Sequence, residues 1–279
     1  MRKQKMKSDK SENGKKKPAE GAYKRILSFL FFAHYDAKTK QTTPFHREEI
    51  VGAASELGVS LPKNKGDVVY SQRFRADMPT EIATVAPKGY EWCLESVGAS
   101  LYQFKLMEGS SRILPRTDAI AIKVPDATPE IISANAQGDE QALLAKVRYN
   151  RLIDIFLGVT AYSLQNHLRT QVAKVQVEID EVYVAVNRQG EQFVIPVQAK
   201  GGSDQLSILQ TRGDLNCCRE KFPDLTCRPV SAQFMPGGVI AMFELIADGN
   251  LIKVKEEKHY KLVASAEISS DDLAQYRIR

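Results

Sequence analysis

Between Val175 and Gly202 apolar and polar residues alternate in two runs separated by a short polar break, the period of two that a pair of β-strands requires. In the first run Gln176, Glu178, Asp180, Val182, Val184 and Val186 share one face, and Val175, Val177, Ile179, Tyr183 and Ala185 the other. In the second, Val194, Pro196, Gln198 and Lys200 lie opposite to Phe193, Ile195, Val197 and Ala199. Elsewhere the period is helical. Ala22 to His34 carries Tyr23, Ile26, Leu27, Leu30 and Phe31 on one stripe, and after Thr43-Pro44 the residues Ile50, Val51, Ala54 and Leu57 form another that ends at Gly58. The strongest helical pattern spans Asp139 to Leu157, with Asp139 as cap, Leu143, Leu144, Val147, Leu152, Ile155 and Phe156 as the apolar stripe, and Gly158 as the stop. The pattern predicts shorter helices over residues 161–170 and 205–221, the latter capped by Ser203 or Asp204. It also predicts a hairpin over 91–107, strands over 228–235 and 239–246, a polar edge strand over 253–263, and a closing helix opened by Asp271, Asp272 and Leu273.

Register decides what the central hairpin does. With Arg188, Gln189 and Gly190 as a three-residue loop and Gly190 in the left-handed position, Asn187 faces Glu191, Asp180 faces Gln198 and Glu178 faces Lys200. Pro196 removes a ladder donor and therefore belongs at an edge or an irregularity. A two-residue loop would slip the register by one and separate the polar groups.

An aspartate near a lysine on adjacent strands suits metal-assisted attack on a phosphodiester. Here the VEIDEVYV…VIPVQAKGG hairpin, with the RYNRLIDIF and SLQNHLRT segments before it, resembles the PD-(D/E)xK nuclease superfamily. The resemblance covers roughly residues 139–246. It implies an α/β (α+β) restriction-endonuclease-like core, a central mixed β-sheet flanked by helices. It also implies a catalytic set of Asp180, Gln198, Lys200 and Glu178, and Mg²⁺ held by Asp180, Gln198 and the Ala199 backbone carbonyl. Gln198 stands where the family has a second acid, and a neutral amide oxygen is the weaker ligand. Glu140 is the candidate for an acid from the preceding helix.

Upstream, helices followed by a hairpin resemble a winged-helix domain, a DNA-docking module. The organisation read from the sequence is a basic tail (1–20), a winged-helix-like DNA-binding domain (21–110), a Pro/Ser/Thr/Ala-rich linker lying extended over the surface (111–138) and a nuclease-like domain (139–279). Arg73, Arg75, Asn166, His167, Arg169, Ser203 and Gln210 are the candidate DNA contacts.

Composition narrows the classes. The 279 residues are 43% hydrophobic and 26% charged, as in a globular chain with a sizeable core, and no apolar run reaches membrane-spanning length. The absence of a secretory pattern gives a cytoplasmic expectation. The net charge of +5 comes from residues 1–20, which hold eight basic and three acidic side chains; the remainder is formally neutral. Cys93, Cys217, Cys218 and Cys227 lack zinc-site spacing and read as reduced thiols, and the four histidines are scattered.

The resemblance to the PD-(D/E)xK superfamily implies a Mg²⁺-dependent DNA endonuclease of type II restriction kind, with the N-terminal domain reading DNA. Its partners would be double-stranded DNA, a second copy as a homodimer, and a DNA methyltransferase protecting host DNA. Alternatives are a structure-directed repair or junction nuclease, and a non-cleaving DNA-binding regulator on a decayed nuclease core.

Overall fold

The structure is a computed structural model and describes residues 18–135, 140–201, 204–249 and 251–277, with side chains from Gly21 onward. The basic tail before Pro18, the Asp139 cap, Gly202 and the candidate contact Ser203 lie outside the described residues.

The first part of the chain forms α1 (Pro18–His34), the paired β1 (Tyr35–Asp36) and β2 (Gln41–Thr42), β3 (Phe45–His46), α2 (Arg47–Glu56), α3 (Asp67–Phe74), α4 (Thr80–Ala83), and the hairpin β4 (Tyr90–Gly98) and β5 (Leu101–Glu108). The apolar stripe of α1 is buried as its spacing predicts: Ile26, Leu27, Leu30 and Phe31 pack with Phe45, Ile50, Trp92 and Phe104 in one core. Val51, assigned to the inner face of α2, is exposed, and Ala53 takes its place in the core. The hairpin turns at Ser100, whose φ of 55° is left-handed, and β3 adds to it in the order β3-β5-β4.

The stretch read as a linker is not one extended strap. It contributes β6 (Arg112–Ile113), β7 (Ala121–Pro125) and α5 (Glu130–Asn135). β7 runs parallel to the end of β15 (Leu251–Val263), over His259 to Val263, so that part of β15 is inner, while residues 251–258 pair with β14 alone and form the predicted edge. The polar residues of β15 make contacts such as the Lys255–Glu244 ion pair at 3.0 Å and the hydrogen bond between His259 Nε2 and Glu257 Oε1 at 2.7 Å.

The long helix predicted to reach Leu157 is two, α6 (Glu140–Tyr149) and α7 (Leu152–Leu157). Asn150 breaks it. Its buried side-chain amide donates to Lys146 O and Thr128 Oγ1 and accepts from Ala127 N, and Arg151 beside it is left-handed at φ 51°. These bonds compete with the helix and outweigh its continuation.

Residues 161–170 form no helix. β8 (Thr160–Val172) pairs antiparallel along β9 (Val175–Val186), and β9 pairs antiparallel with β10 (Gln192–Lys200). β8 is an outer strand with most side chains in solvent, so no apolar period marked it; cross-strand pairing overrode local preference. After β10 come β11 (Leu206–Ser207), α8 (Ile208–Lys221), β12 (Thr226–Cys227), β13 (Val230–Met235), β14 (Val239–Asp248), β15 and α9 (Ser270–Arg277). Helix α8 starts later than predicted, because Leu206 and Ser207 pair with Ile113 and Arg112; Ser207 caps it by accepting from Leu209 N at 3.3 Å.

The eight-stranded sheet runs β7-β15-β14-β13-β10-β9-β8, with β12 also on β10. β10 pairs parallel with β12 through Phe193 and Val194 and with β13 from Val197 to Lys200. Pro196 falls in the gap between those two pairings, the irregularity its missing N–H calls for. Helices α6 and α7 cover one face through Leu143, Leu144, Val147, Leu152 and Phe156, while Cys217 and Cys218 of α8 pack on the other. The result is a mixed α/β fold with a mixed sheet flanked by helices.

Candidate active site

The β9–β10 turn has the predicted register: Asn187 N donates to Glu191 O at 3.1 Å, and Gly190 has φ 84°. Pairing continues from Val186↔Gln192 to Glu181↔Val197 and then stops. Beyond it side chains occupy the ladder positions. Ala199 N donates to Asp180 Oδ2 at 2.8 Å, and Gln198 Nε2 donates to Glu178 O at 3.0 Å. On the other side of β9 the ladder skips His167 and Asp180, and His167 has φ 54°.

The register is the same on either side of that unpaired step, and the bulge of this ladder lies between Ser163 and Gln165. Val177, Ile179 and Val182 pack toward Cys217 and Cys218, whereas Tyr183 and Ala185 pack in the core beneath α6 and α7. The single alternation read across β9 therefore breaks at Asp180 and Glu181.

Lys200, at the end of β10, is 6% exposed, and its Nζ lies 3.6 Å from Glu140 Oε1 at the start of α6. Glu140 is thus the acid that meets Lys200, in place of Glu178. Glu178 instead pairs across to β8, with Arg169 at 3.1 Å and His167 at 3.2 Å. Burial raises the Asp180 carboxyl pKa above the usual range, with Glu140 and Glu178 adding to the rise; the Ala199 N–H and the Lys200 charge oppose it.

Gln198 turns toward α8. Its Nε2 donates to Asp214 Oδ1 and Oδ2 at 3.1 and 3.0 Å, and its Oε1 accepts from Gln210 Nε2 at 3.3 Å. Asp214 is buried, and desolvation lifts its pKa well above the ordinary carboxylate range; the Asp180 charge adds to this, and the Gln198 hydrogen bond and the Lys200 charge act against it. Asp214 is the site residue the sequence reading missed. A signal existed: it lies four residues after Gln210 and four before Cys218, on the inner stripe of α8.

Most of the candidate DNA contacts are engaged within the chain. Gln210 is committed to Gln198, and Asn166 Oδ1 accepts from Arg148 at 2.9 Å. Arg75 pairs with Asp204 at 3.3 Å, and the Arg73 Nε is buried. His167 and Arg169 share Glu178, exposed on β8.

Next to Asp180, Glu181 is fully buried and accepts from Arg148 Nε at 2.8 Å and Ser163 Oγ at 2.6 Å. Arg148→Met is expected to destabilise the fold by about 2 kcal/mol, below the ~3–5 kcal/mol of a fully buried pair because the arginine is partly solvated. Chemical denaturation of both proteins checks it.

Among the described residues no group of three or more His, Cys, Asp or Glu side chains is arranged to hold a metal ion, and no helix is long and apolar enough to cross a membrane. Fold and site define a mixed α/β protein with a buried acid–lysine–amide cluster where two strands of its sheet diverge. Family models, curated proteins and solved structures give no match to this chain.

Proposed function

We propose that this protein is a Mg²⁺-dependent DNA endonuclease of the PD-(D/E)xK kind. The observation that carries the reading is Lys200 buried against Glu140, with Asp180 presented between the diverging β9 and β10. The chain order supports it: a helix, three antiparallel strands, a crossing helix α8, and a strand β13 parallel to β10. The N-terminal order α1, β1, β2, β3, α2, α3, α4, β4, β5 with sheet order β3-β5-β4 supports a winged-helix reading, in which α3 would be the recognition helix.

Mg²⁺ takes one or two protein carboxylates and completes its shell with water and substrate phosphate. Asp180 and Glu140 fit that demand: both are hard oxygen donors, and the repulsion that Glu140 adds at Asp180 is of the kind a cation relieves. An ion held by Asp180 and Glu140 would supply Lewis acidity toward the phosphate and a bound water of lowered pKa. The chain does the rest. Lys200 Nζ donates to the phosphate oxygens as charge builds on them. The Ala199 N–H fixes one Asp180 oxygen, and Asp214 with Gln210 holds Gln198 in one orientation behind the site. Burial of Lys200 excludes water that would weaken its field.

Mg²⁺ is expected to raise the melting temperature of the wild type and not of Asp180→Asn, by about 2–4 °C per kcal/mol of binding linkage. The activity test is incubation of plasmid and phage DNA with and without Mg²⁺. Discrete fragments support a sequence-specific restriction-type enzyme, a smear supports a nonspecific nuclease, and intact DNA in both refutes the nuclease reading. The Gln198–Asp214 bond favours one second reading, a DNA-binding regulator: an amide held inward at the second-acid position leaves that position without a charge. Retained duplex binding with intact DNA would select it.

A further inference from the structure

A cavity of about 380 Å³ lies where α3, the outer edge of β4, residues Ser110–Arg112 and the start of α8 meet, away from Asp180 and Lys200. Its volume is in the range of small-molecule sites. Met78, Leu94 and Leu209 give it apolar walls. Its charged lining is two arginines and two acids. Arg73 and Arg112 both line it, and among the described residues neither has a carboxylate within ion-pair distance. Arg112 reaches only the carbonyls of Arg73, at 3.4 Å, and Ala76, at 3.1 Å, at the end of α3. Arg73 Nε and Trp92 Nε1 are buried N–H groups without an acceptor. The two acids at the cavity, Asp77 and Glu91, are exposed, and Glu91 already accepts from Ser111 N at 3.0 Å.

A guanidinium cannot shed its proton to escape burial, and an N–H removed from water without an acceptor costs roughly 1–3 kcal/mol. Two arginines lining one cavity, with no carboxylate at ion-pair distance from either among the described residues, therefore leave room for negative oxygen from outside the chain. We propose that this cavity binds a small oxyanion, a phosphate or carboxylate group carried on an apolar or planar body that lies against its apolar wall. The site is independent of the nuclease reading and stands if that reading fails.

Trp92 is the one tryptophan of the chain and so reports directly on the cavity. The full chain is titrated, at fixed ionic strength set with chloride, with thymidine 5′-monophosphate, inorganic phosphate and benzoate, and Trp92 fluorescence is read. The expected result is a saturable change with at least one of the three, absent with chloride. Affinity falls roughly tenfold in Arg73→Gln that retains the wild-type circular dichroism, as for loss of a charge-assisted hydrogen bond. The monophosphate binding more tightly than inorganic phosphate identifies a phosphate ester as the source, and benzoate binding more tightly than both identifies a carboxylate. If Arg73→Gln does not fold, Arg112→Gln replaces it with the same Trp92 readout, and an affinity loss of about fivefold is expected. No saturable change with any of the three ligands, or unchanged affinity in a folded variant, overturns the site.

Discussion

Lys200→Ala is expected to abolish Mg²⁺-dependent cleavage of plasmid DNA, by ~10²–10³-fold or more in rate, while duplex binding survives. Lys200 is the cation set against Glu140 and acting on Asp180, and it is 94% withdrawn from solvent, so no neighbouring water can stand in for its charge. Binding surfaces elsewhere on the chain do not depend on its ammonium. Rates and gel-shift affinities of the two proteins, measured side by side, decide it. Equal cleavage by mutant and wild type removes Lys200 from the chemistry. The variant also leaves Glu140 and Asp180 with less positive charge between them, so its melting temperature is expected to fall at neutral pH.

Asp214→Asn is expected to stabilise the protein at neutral pH and to flatten its stability profile above about pH 4. Asp214 is buried, and its folded pKa lies well above that of the unfolded chain, chiefly through desolvation. The folded state therefore holds a proton that the unfolded state releases. Stability contributed by this group is fully present below the unfolded carboxylate pKa and declines as pH rises from there toward the raised folded value. Asparagine keeps the shape, can still bond Gln198, and carries no charge to desolvate. Thermal melts of wild type and variant from pH 4 to pH 8 read the difference. Parallel curves would mean that Asp214 is ionised and stabilised by a group other than Gln198. Asp180 shifts in the same direction, so the variant is expected to keep part of the wild-type slope.

The part of the site nearest the hairpin turn was legible in the sequence. Gly190 needs a left-handed conformation, and that single requirement sets the loop at three residues and Asn187 opposite Glu191. From there the period of two carries the pairing to Glu181 and Val197. It fails at Asp180, because a polar side chain that takes over a backbone donor ends the ladder, and no local pattern announces that. The partners of Lys200 and Gln198 were also only partly visible. Glu140 stood out as an acid at the start of a strong helix. Asp214 did not, because a carboxylate in the middle of a helix ordinarily faces solvent. The misread helix at residues 161–170 has a related cause: an outer strand with both faces largely wet carries no apolar period to read.

By itself the sequence determined which segments bury a stripe, where the central hairpin turns, and that Asp180 and Lys200 lie on neighbouring strands, since periodicity and turn chemistry are local properties. Only the tertiary structure decided that β9 and β10 part at Asp180, that Lys200 meets Glu140 and not Glu178, and that Asp214 closes on Gln198. Those outcomes depend on how helices α6 and α8 press on opposite faces of one sheet, and burial by distant elements sets both the orientation and the charge of each group in the cluster.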